Sequence, residues 1–472
     1  MTTLTATARE EVAFDAPGRL EALCDPGSFR ALRSGVLSDR LGPKARAGDG
    51  VVAGAGEVSG RPVFCYAQDP SFMGGSLGEA HADSIVRVMQ LAGRAGAPVI
   101  GFVESGGARL QDGHAGLAGY GRIFRTSVEL ASRVPQISVV TGVSAGGGSY
   151  SPALTDFVLM TQAARMFLTG PRVVREALGE EVSMEALGGP RVHDGNGVCQ
   201  LVADSEAEAT RMVRELLGVL PQGIGERPVL ADPLPPTGHD PGAPVPAEAR
   251  RVYDVREVLA AIVDDGRLLE ISTRWAANMV TGLARLEGRP VGIVANQPRR
   301  IGGVIDASAS EKAARFVRLC DRFGLPLVVL VDTPGFMPGM RQESAGVIRH
   351  GAELLRAFAG ASVPRLTVVL RKAYGGAVIT MNSKDLGADV VFAWPGAEIG
   401  IMAANQAVGI VHRRRLREAS DPDAIGADLA AAYAEEHLTA SAAAASGFID
   451  EVIEPMETRE RLAWALASLE RR

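Results

Sequence analysis

At 472 residues the chain exceeds one ordinary domain, and its length predicts two or three. Its 46% apolar and 22% charged residues can bury sizeable cores, and a net charge of −6 speaks against a general nucleic-acid binder, because no basic excess stands ready to replace phosphate counterions. A high glycine count of 56 beside only 5% aromatics points to tight turns and close backbone approaches.

From the amino end, "MTTLTATAREEVAF" lacks the charged-then-apolar pattern of a signal peptide, and no stretch approaches 18 uninterrupted apolar residues, so the expectation is a soluble, cytoplasmic protein with no membrane partner. Cys24, Cys65, Cys199 and Cys320 lie far apart with no C-x-x-C pair; buried, reduced thiols are expected, with neither a zinc ribbon nor a disulfide framework and no metal on this chain. The first βα pattern is "GAPVIGFVESGGARLQDG", followed by the helical "AGLAGYGRIFRTSVELASRV" and a second apolar run, "PQISVVTGVSAGGGSY". Between Pro221 and Pro246 eight prolines with little apolar periodicity read as a stiff linker, and "YDVREVLAAIVDD" then restarts helical spacing. The order then repeats as "GLPLVVLVDTPGFMPG", "AGVIRHGAELLRAFAGASV" and "PRLTVVLRKAYGGAVI". Pro135 and Pro364 are 364 − 135 = 229 positions apart, and Gly147 and Gly376 keep that 229, so a duplicated domain is predicted.

Short apolar runs alternating with amphipathic helices imply βαβ units and a largely parallel sheet, an α/β fold whose ligands gather at the carboxyl ends of the strands. Both glycine turns fall there. A Gly-Gly turn between strand and helix leaves backbone N–H groups uncovered with the positive end of a helix dipole behind them; two such turns side by side form an oxyanion hole. The candidates are "SGGAR" (105–109) and "SAGGG" (144–148) in the first half, "TPGF" (333–336) and "AYGGA" (373–377) in the second. The competing reading is that the glycines only allow helices to pack closely on strands. No phosphate-loop or dinucleotide-binding pattern occurs, and neither Ser144 nor Ser149 sits in a G-x-S-x-G frame, which disfavours nucleotide-driven chemistry and a serine hydrolase.

Together "GGSLGEAH" (74–81), "ESGGARLQDG" (104–113), "SAGGGSYSPALTDF" (144–157), "TGPRVV" (169–174), "EALGGPRVH" (185–193), "VGIVANQP" (291–298), "VDTPGF" (331–336), "RKAYGGA" (371–377) and "FAWPGAEIGIM" (392–402) resemble the carboxyltransferase β subunit of biotin-dependent acyl-CoA carboxylases, the actinobacterial acetyl-/propionyl-CoA type in particular. The resemblance implies duplicated crotonase-like (ClpP/crotonase) domains: 1–225 on the acyl-CoA side, a Pro-rich linker at 226–250, and 251–472 on the biotin side. It implies transfer of a carboxyl group from carboxybiotin, borne by a partner's carrier domain, to the α-carbon of an acyl-CoA. Two oxyanions would form, on the thioester and on the biotin ureido group, so two holes are needed. Carried over by motif, Gly146 and Gly147 would hold the thioester oxygen, with Gly106, Gly107, Ala108 and Arg109 as the facing loop, while Gly376 and Ala377 would hold the ureido oxygen. Ile379 would floor the acyl pocket and favour acetyl-CoA, with propionyl-CoA also taken; the competing reading is a β-branched core residue at helical spacing. Arg109 and Lys312 are candidates for the CoA phosphates, against the reading of ordinary ion pairs.

The implied partners are a biotin carboxylase/biotin carboxyl carrier α subunit and further copies of the chain, as a hexamer built as a trimer of dimers. The chain itself lacks an "AMKM"-type biotinylation motif. Three alternatives remain: the reverse reaction in a biotin-dependent (methyl)malonyl-CoA decarboxylase, a hydratase or isomerase of the crotonase type, and a non-catalytic homologue. The hydratase reading wants glutamates beside the glycine turn, and "GGGSYSPAL" has none.

Overall fold

The computed structural model describes residues 14–248 and 250–469; residues 1–13, where no signal pattern was read, lie outside them. Two compact units share the chain, one ending at Glu226 and one beginning at Arg227. The first holds a sheet of β1 (Arg30–Leu32), β2 (Val51–Val58), β3 (Arg61–Gln68), β4 (Val99–Ser105), β5 (Gln136–Ala145), β6 (Phe157–Thr161), β7 (Arg165–Phe167) and β8 (Leu201–Ala203). Its order is β1-β2-β3-β4-β5-β6-β8, with β7 also beside β5. The second unit has β9 (Leu269–Glu270), β10 (Met279–Leu286), β11 (Arg289–Asn296), β12 (Leu327–Thr333), β13 (Arg365–Tyr374), β14 (Val390–Ala393), β15 (Glu398–Gly400) and β16 (Glu451–Val452). They are ordered β9-β10-β11-β12-β13-β14-β16, with β15 beside β13, so each strand has a counterpart eight labels earlier.

In each unit the first three strands pair antiparallel and the rest parallel. The parallel strands read as unbroken apolar runs because both faces are covered: all seven residues of β12, "LVVLVDT", are buried, as are six of the seven of β4, "VIGFVES". The Glu79–Ala95 helix covers the first sheet with Ala82, Ile85, Met89 and Ala92, spaced for one helical face, and ends at Gly96 with φ 63°, where a left-handed residue stops the helix. Its counterpart, Ala307–Arg322, begins at Asp306, whose carboxylate accepts from the Ala309 N–H at 2.8 Å.

The β2–β3 and β10–β11 hairpins turn on Ser59-Gly60 (φ 52° and 72°) and Glu287-Gly288 (φ 50° and 74°), the positive pair a two-residue hairpin requires. One device secures both turns. Asp25 accepts from the N–H groups of Ser59 and Gly60 at 3.0 and 2.8 Å and pairs with Arg214; Asp264 accepts from Glu287 and Gly288 at 3.0 and 2.7 Å and pairs with Arg459.

The Pro-rich stretch, read in the sequence as a linker, is laid along the second unit. Ala231 N–H donates to Gly288 O at 3.0 Å, Gly238 N–H to Ala260 O at 3.0 Å, and the Arg285 guanidinium holds the Val229 carbonyl at 2.8 Å.

Candidate active site

Four loops at the carboxyl ends of the central strands build the site, two in each unit. In the first unit β5 runs into Gly146, which has φ 58° and ψ −125°, a conformation open only to glycine, and the Gly147–Ala153 helix starts at once. In the second, β13 runs into Gly375 (φ 63°, ψ −148°) and the Gly376–Thr380 helix. The sequence reading placed Gly146 among the donors; the structure corrects this. The Gly146 N–H donates to the Phe167 carbonyl at 3.1 Å, as Gly375 N–H does to Gly400 at 2.9 Å, so neither can reach a ligand. These glycines instead turn the chain. The next two N–H groups, of Gly147 and Gly148 and of Gly376 and Ala377, have no acceptor among the described residues, as expected in the first turn of a helix. Gly147, Gly376 and Ala377 thus stand as read, and Gly148 joins them.

The facing loops repeat as closely. Leu77 N–H donates to Gly107 O at 2.8 Å and Arg109 N–H to Leu77 O at 2.9 Å, a parallel bridge that leaves the N–H of Ala108 on the opposite edge. Ile305 N–H to Gly335 O and Met337 N–H to Ile305 O do the same for Phe336. Ser105 Oγ accepts from Gly107 N–H at 3.3 Å and Thr333 Oγ1 from Gly335 N–H at 3.3 Å, closing both turns alike. Gly106 N–H is engaged by Gly74 O at 2.9 Å. The two first-unit loops touch: a Cβ on Gly107 would lie 3.4 Å from the Ala145 carbonyl oxygen. Each unit therefore presents one open N–H on a strand-following loop (Ala108, Phe336) and open N–H groups at a helix start. Phe336 escaped the residue-by-residue reading, though its turn "TPGF" was singled out. Only the bridge to Ile305 reveals which of its N–H groups stays open.

Beneath these loops the pairing of β4 with β5 jumps from Val103↔Val140 to Ser105↔Ser144, and that of β12 with β13 from Val331↔Val369 to Thr333↔Ala373. An acid sits at each jump, Glu104 and Asp332, 332 − 104 = 228 positions apart. Their amides are held alike: Glu104 N–H donates to Gln68 Oε1 at 3.1 Å and Asp332 N–H to Asn296 Oδ1 at 3.2 Å. Glu104 pairs with Arg19 at 2.9 Å, which also pairs with Glu206 at 2.8 Å. Asp332 is fully buried; burial pushes its carboxyl up from the ordinary value, and Arg371 and Lys372 pull it back.

Two expectations about charge fail. The Arg109 side chain is fully buried, with Nη1 2.6 Å from Asp49 Oδ1 and Nη2 donating to the carbonyls of Asp49 and Ser76 at 3.1 and 3.0 Å. It ties its loop to the preceding ones and cannot meet a CoA phosphate. Lys312 is buried too, its ammonium donating to the carbonyls of Ser272 and Trp275 at 2.8 and 3.0 Å. Both lie on strong periodic patterns, where a long cation reads like a surface residue until its carbonyl cage is seen.

Ile379, 48% exposed, is no core residue; with Gly375, Gly376, Ile399, Ile401 and Phe448 it lines a cavity of about 630 Å³ beside the second glycine turn. No group of His, Cys, Asp and Glu fit to hold a metal occurs among the described residues, and no described helix is long and apolar enough to cross a membrane.

The Carboxyl transferase domain family matches residues 14–472. The chain is 44% identical to the biotin-dependent acetyl-/propionyl-coenzyme A carboxylase beta5 subunit of Mycobacterium tuberculosis, over 96% of this chain and 86% of that protein. It is 45% identical to the methylmalonyl-CoA decarboxylase subunit alpha of Veillonella parvula, over 96% and 89%. Among solved structures, the transcarboxylase 12S hexamer with methylmalonyl-coenzyme A bound superposes with a TM-score of 0.93 at 44% identity, covering 97% of this chain and 90% of that one. Both units have the crotonase-like fold. Full-length coverage, two open-amide turns per unit and these identities together place the chain in the carboxyl transferase family, the biotin-dependent carboxyltransferases of acyl-CoA enzymes.

Proposed function

We propose that the chain is the carboxyltransferase subunit of an acyl-CoA carboxylase, moving the carboxyl group of carboxybiotin on a partner's carrier domain to the α-carbon of acetyl-CoA, to give malonyl-CoA, with propionyl-CoA also accepted. The observation that carries it is the duplicated pair of open amides. Carboxyl transfer places negative charge on two carbonyl oxygens, and fixed donors aimed at each lower the barrier without reorganisation. The first unit, to about residue 225, takes the acyl-CoA: Ala108 and Gly147 N–H hold the thioester oxygen, with Gly148 behind them and Gly106 and Gly107 shaping the loop. The second unit, from about residue 251, takes biotin: Gly376 and Phe336 N–H hold the ureido oxygen, with Ala377 next in the helix, and residues 226–250 connect the two. The biotin supplies the carboxyl group in transfer, and the α-proton of the acyl-CoA leaves without a side-chain base, since neither glycine turn carries a carboxylate. The apolar cavity beside Gly376 suits an uncharged bicyclic ring with one carbonyl to satisfy.

The partners follow from the same reading: a biotinylated α subunit with biotin carboxylase activity, and a hexamer of this chain like that of transcarboxylase 12S. The protein works in the cytoplasm. Ile379 contributes apolar surface that favours the shorter acyl chain. Incubation with a biotinylated carboxylase partner, ATP, bicarbonate and acetyl-, propionyl- or butyryl-CoA tests this. Acetyl-CoA should be carboxylated, and Ile379→Asp should shift preference toward propionyl-CoA by about tenfold, one side chain being worth ~1–3 kcal/mol of discrimination. A charged carrier with no acyl-CoA carboxylated overturns the reading. The likeness to the Veillonella decarboxylase subunit favours one second reading, the same site run in reverse; co-purification with a membrane subunit rather than a carboxylase α subunit would select it.

A further inference from the structure

The second glycine turn stands on a buried ion network with no counterpart under the first. Where β13 bulges from β12, residues Leu370, Arg371 and Lys372 lie between the paired Val369 and Ala373, opposite Asp332. Arg371, 6% exposed, donates from Nε to Asp332 Oδ2 at 3.1 Å. From Nη1 it donates to three carbonyls at the end of the Pro-rich segment: Pro246 at 3.3 Å, Glu248 at 3.2 Å and Arg251 at 2.9 Å. Its guanidinium also lies 5.1 Å from the centre of the Tyr253 ring, and the Tyr253 hydroxyl donates to the same Asp332 oxygen at 2.8 Å. One side chain thus joins three pieces of backbone: segment 246–253, the strand leading to Thr333–Phe336, and the strand leading to Gly375–Ala377. The latter two are the limbs of the second donor pair.

In the first unit the position matching Arg371 is Gly142, 371 − 142 = 229, and a Cβ there would stand 2.1 Å from Glu104 Oε1. No side chain can fill that bulge, and Glu104 is held from elsewhere, by Arg19. A buried ion pair contributes little net stability, because desolvation offsets the attraction. What a planar five-donor fork does supply is fixed geometry.

We infer that Arg371, with Asp332 and Tyr253, is a positioning group for the second turn: it keys segment 246–253 to the two limbs and sets the spacing of the Phe336 and Gly376 N–H groups. This rests on the reading that those amides receive the biotin oxygen. Amides displaced by a fraction of an ångström lose much of their effect on a developing charge.

The test uses the full chain, with carboxyl transfer from malonyl-CoA to free biotin as the reaction. Arg371→Lys keeps the charge and loses the fork; Tyr253→Phe, which removes one hydrogen bond only, serves if the first does not fold. Arg285→Lys is the control, because Arg285 also holds the Pro-rich segment, at Val229 and Gly288, away from the turn. Arg371→Lys should raise the KM for biotin about tenfold and Tyr253→Phe about threefold, with the KM for malonyl-CoA held within about twofold and Arg285→Lys near wild type. Amide exchange should quicken over 333–337 and 374–380 and stay unchanged over 144–150. Both KM values rising together, or the control behaving like Arg371→Lys, reduces the network to a structural support and overturns the inference. If the wild type transfers no carboxyl group to biotin, the functional reading falls and the exchange measurement decides alone: unchanged exchange over 374–380 in Arg371→Lys sinks the strut.

Discussion

The two units share everything that the backbone must do and differ in nearly everything that side chains do beneath it. Gly146 and Gly375 have the same forbidden-for-others conformation, and their N–H groups bind the same kind of neighbouring carbonyl. Ser105 and Thr333, Gln68 and Asn296, Asp25 and Asp264 repeat their hydrogen bonds within a few tenths of an ångström. Below the turns, Gly142 faces Arg371, and Tyr120 packs under Gly147 where open space surrounds Gly376. His81 is buried in one helix where the other has Ala309. An open N–H is placed by φ and ψ, so the positions that set those angles admit few residues, while any set of contacts that holds the strands in place will serve underneath.

The sharpest way to break the proposed equivalence is to remove one donor without moving the chain. Gly376 is the first residue of its helix, where proline is tolerated, and a Cβ there meets nothing within 4 Å. Gly376→Pro should fold and lose ~10²–10³ in kcat, the usual loss for one oxyanion donor. Steady-state kinetics beside a far-ultraviolet circular dichroism spectrum checks it; full activity with no Gly376 N–H would mean the second turn holds no oxyanion.

The next comparison concerns what supports the turns. A Cβ on Gly147 would lie 2.7 Å from the Tyr120 ring, itself 4% exposed, so Gly147→Ala should destabilise the first unit by ~1–3 kcal/mol through overpacking, whereas Gly376→Ala should be near neutral. All three tryptophans, Trp275, Trp394 and Trp464, lie in the second unit, so their fluorescence follows that unit alone while circular dichroism follows both. Denaturation of Gly147→Ala should separate the two signals.

The duplication and the two glycine turns were legible because glycine at a strand end and the 229-residue spacing leave marks that need no partner. What the sequence concealed depended on contacts between distant segments. Gly146 reads as a donor until Phe167 is seen to occupy its N–H, and Arg109 reads as a phosphate ligand until Asp49, 60 residues earlier, closes on it. The Pro-rich stretch looks like a spacer because proline lacks a donor, yet its carbonyls still accept, and Arg285 and Arg371 use them. The hairpin repeat "GRPV" at 60–63 and 288–291 was in plain sight and reveals that the duplication reaches back to β2.

His81 offers a milder contrast. Burial first, and then the Arg109 charge, push its imidazole down to about 3, so the folded first unit refuses a proton that the unfolded chain accepts near the ordinary value of about 6.5. Stability therefore falls as pH drops from about 6.5 toward 3, at up to ~1.4 kcal/mol per pH unit. Between pH 6.5 and 5, above most carboxylate titration, urea denaturation followed by circular dichroism should show this slope in the wild type and lose it in His81→Gln, with tryptophan fluorescence showing no difference. An unchanged slope in the variant would assign the acid sensitivity to other groups.

The smallest effect belongs to the device that the units hold in common. Asp264 is buried and Asp25 is half-buried, so although each binds two hairpin amides and one arginine, losing the charge should matter more in the second unit. Asp264→Asn should cost ~1–3 kcal/mol, because it leaves Arg459 weakly partnered in a dry setting, and Asp25→Asn should cost less. The exposed member also carries a pH signature. The Gly60 amide, then Arg214 and the Ser59 amide, hold the Asp25 carboxyl down at about 2, below the ordinary value of about 3.9. A depressed carboxylate stabilises the fold above its unfolded pKa and stops doing so as pH falls toward the folded one. The difference in melting temperature between wild type and Asp25→Asn should thus be constant above pH ~5 and close between about 4 and 2. A difference that persists at pH 2 would mean the hairpin depends on the shape of the side chain rather than its charge, and the parallel between Asp25 and Asp264 would then be one of geometry only.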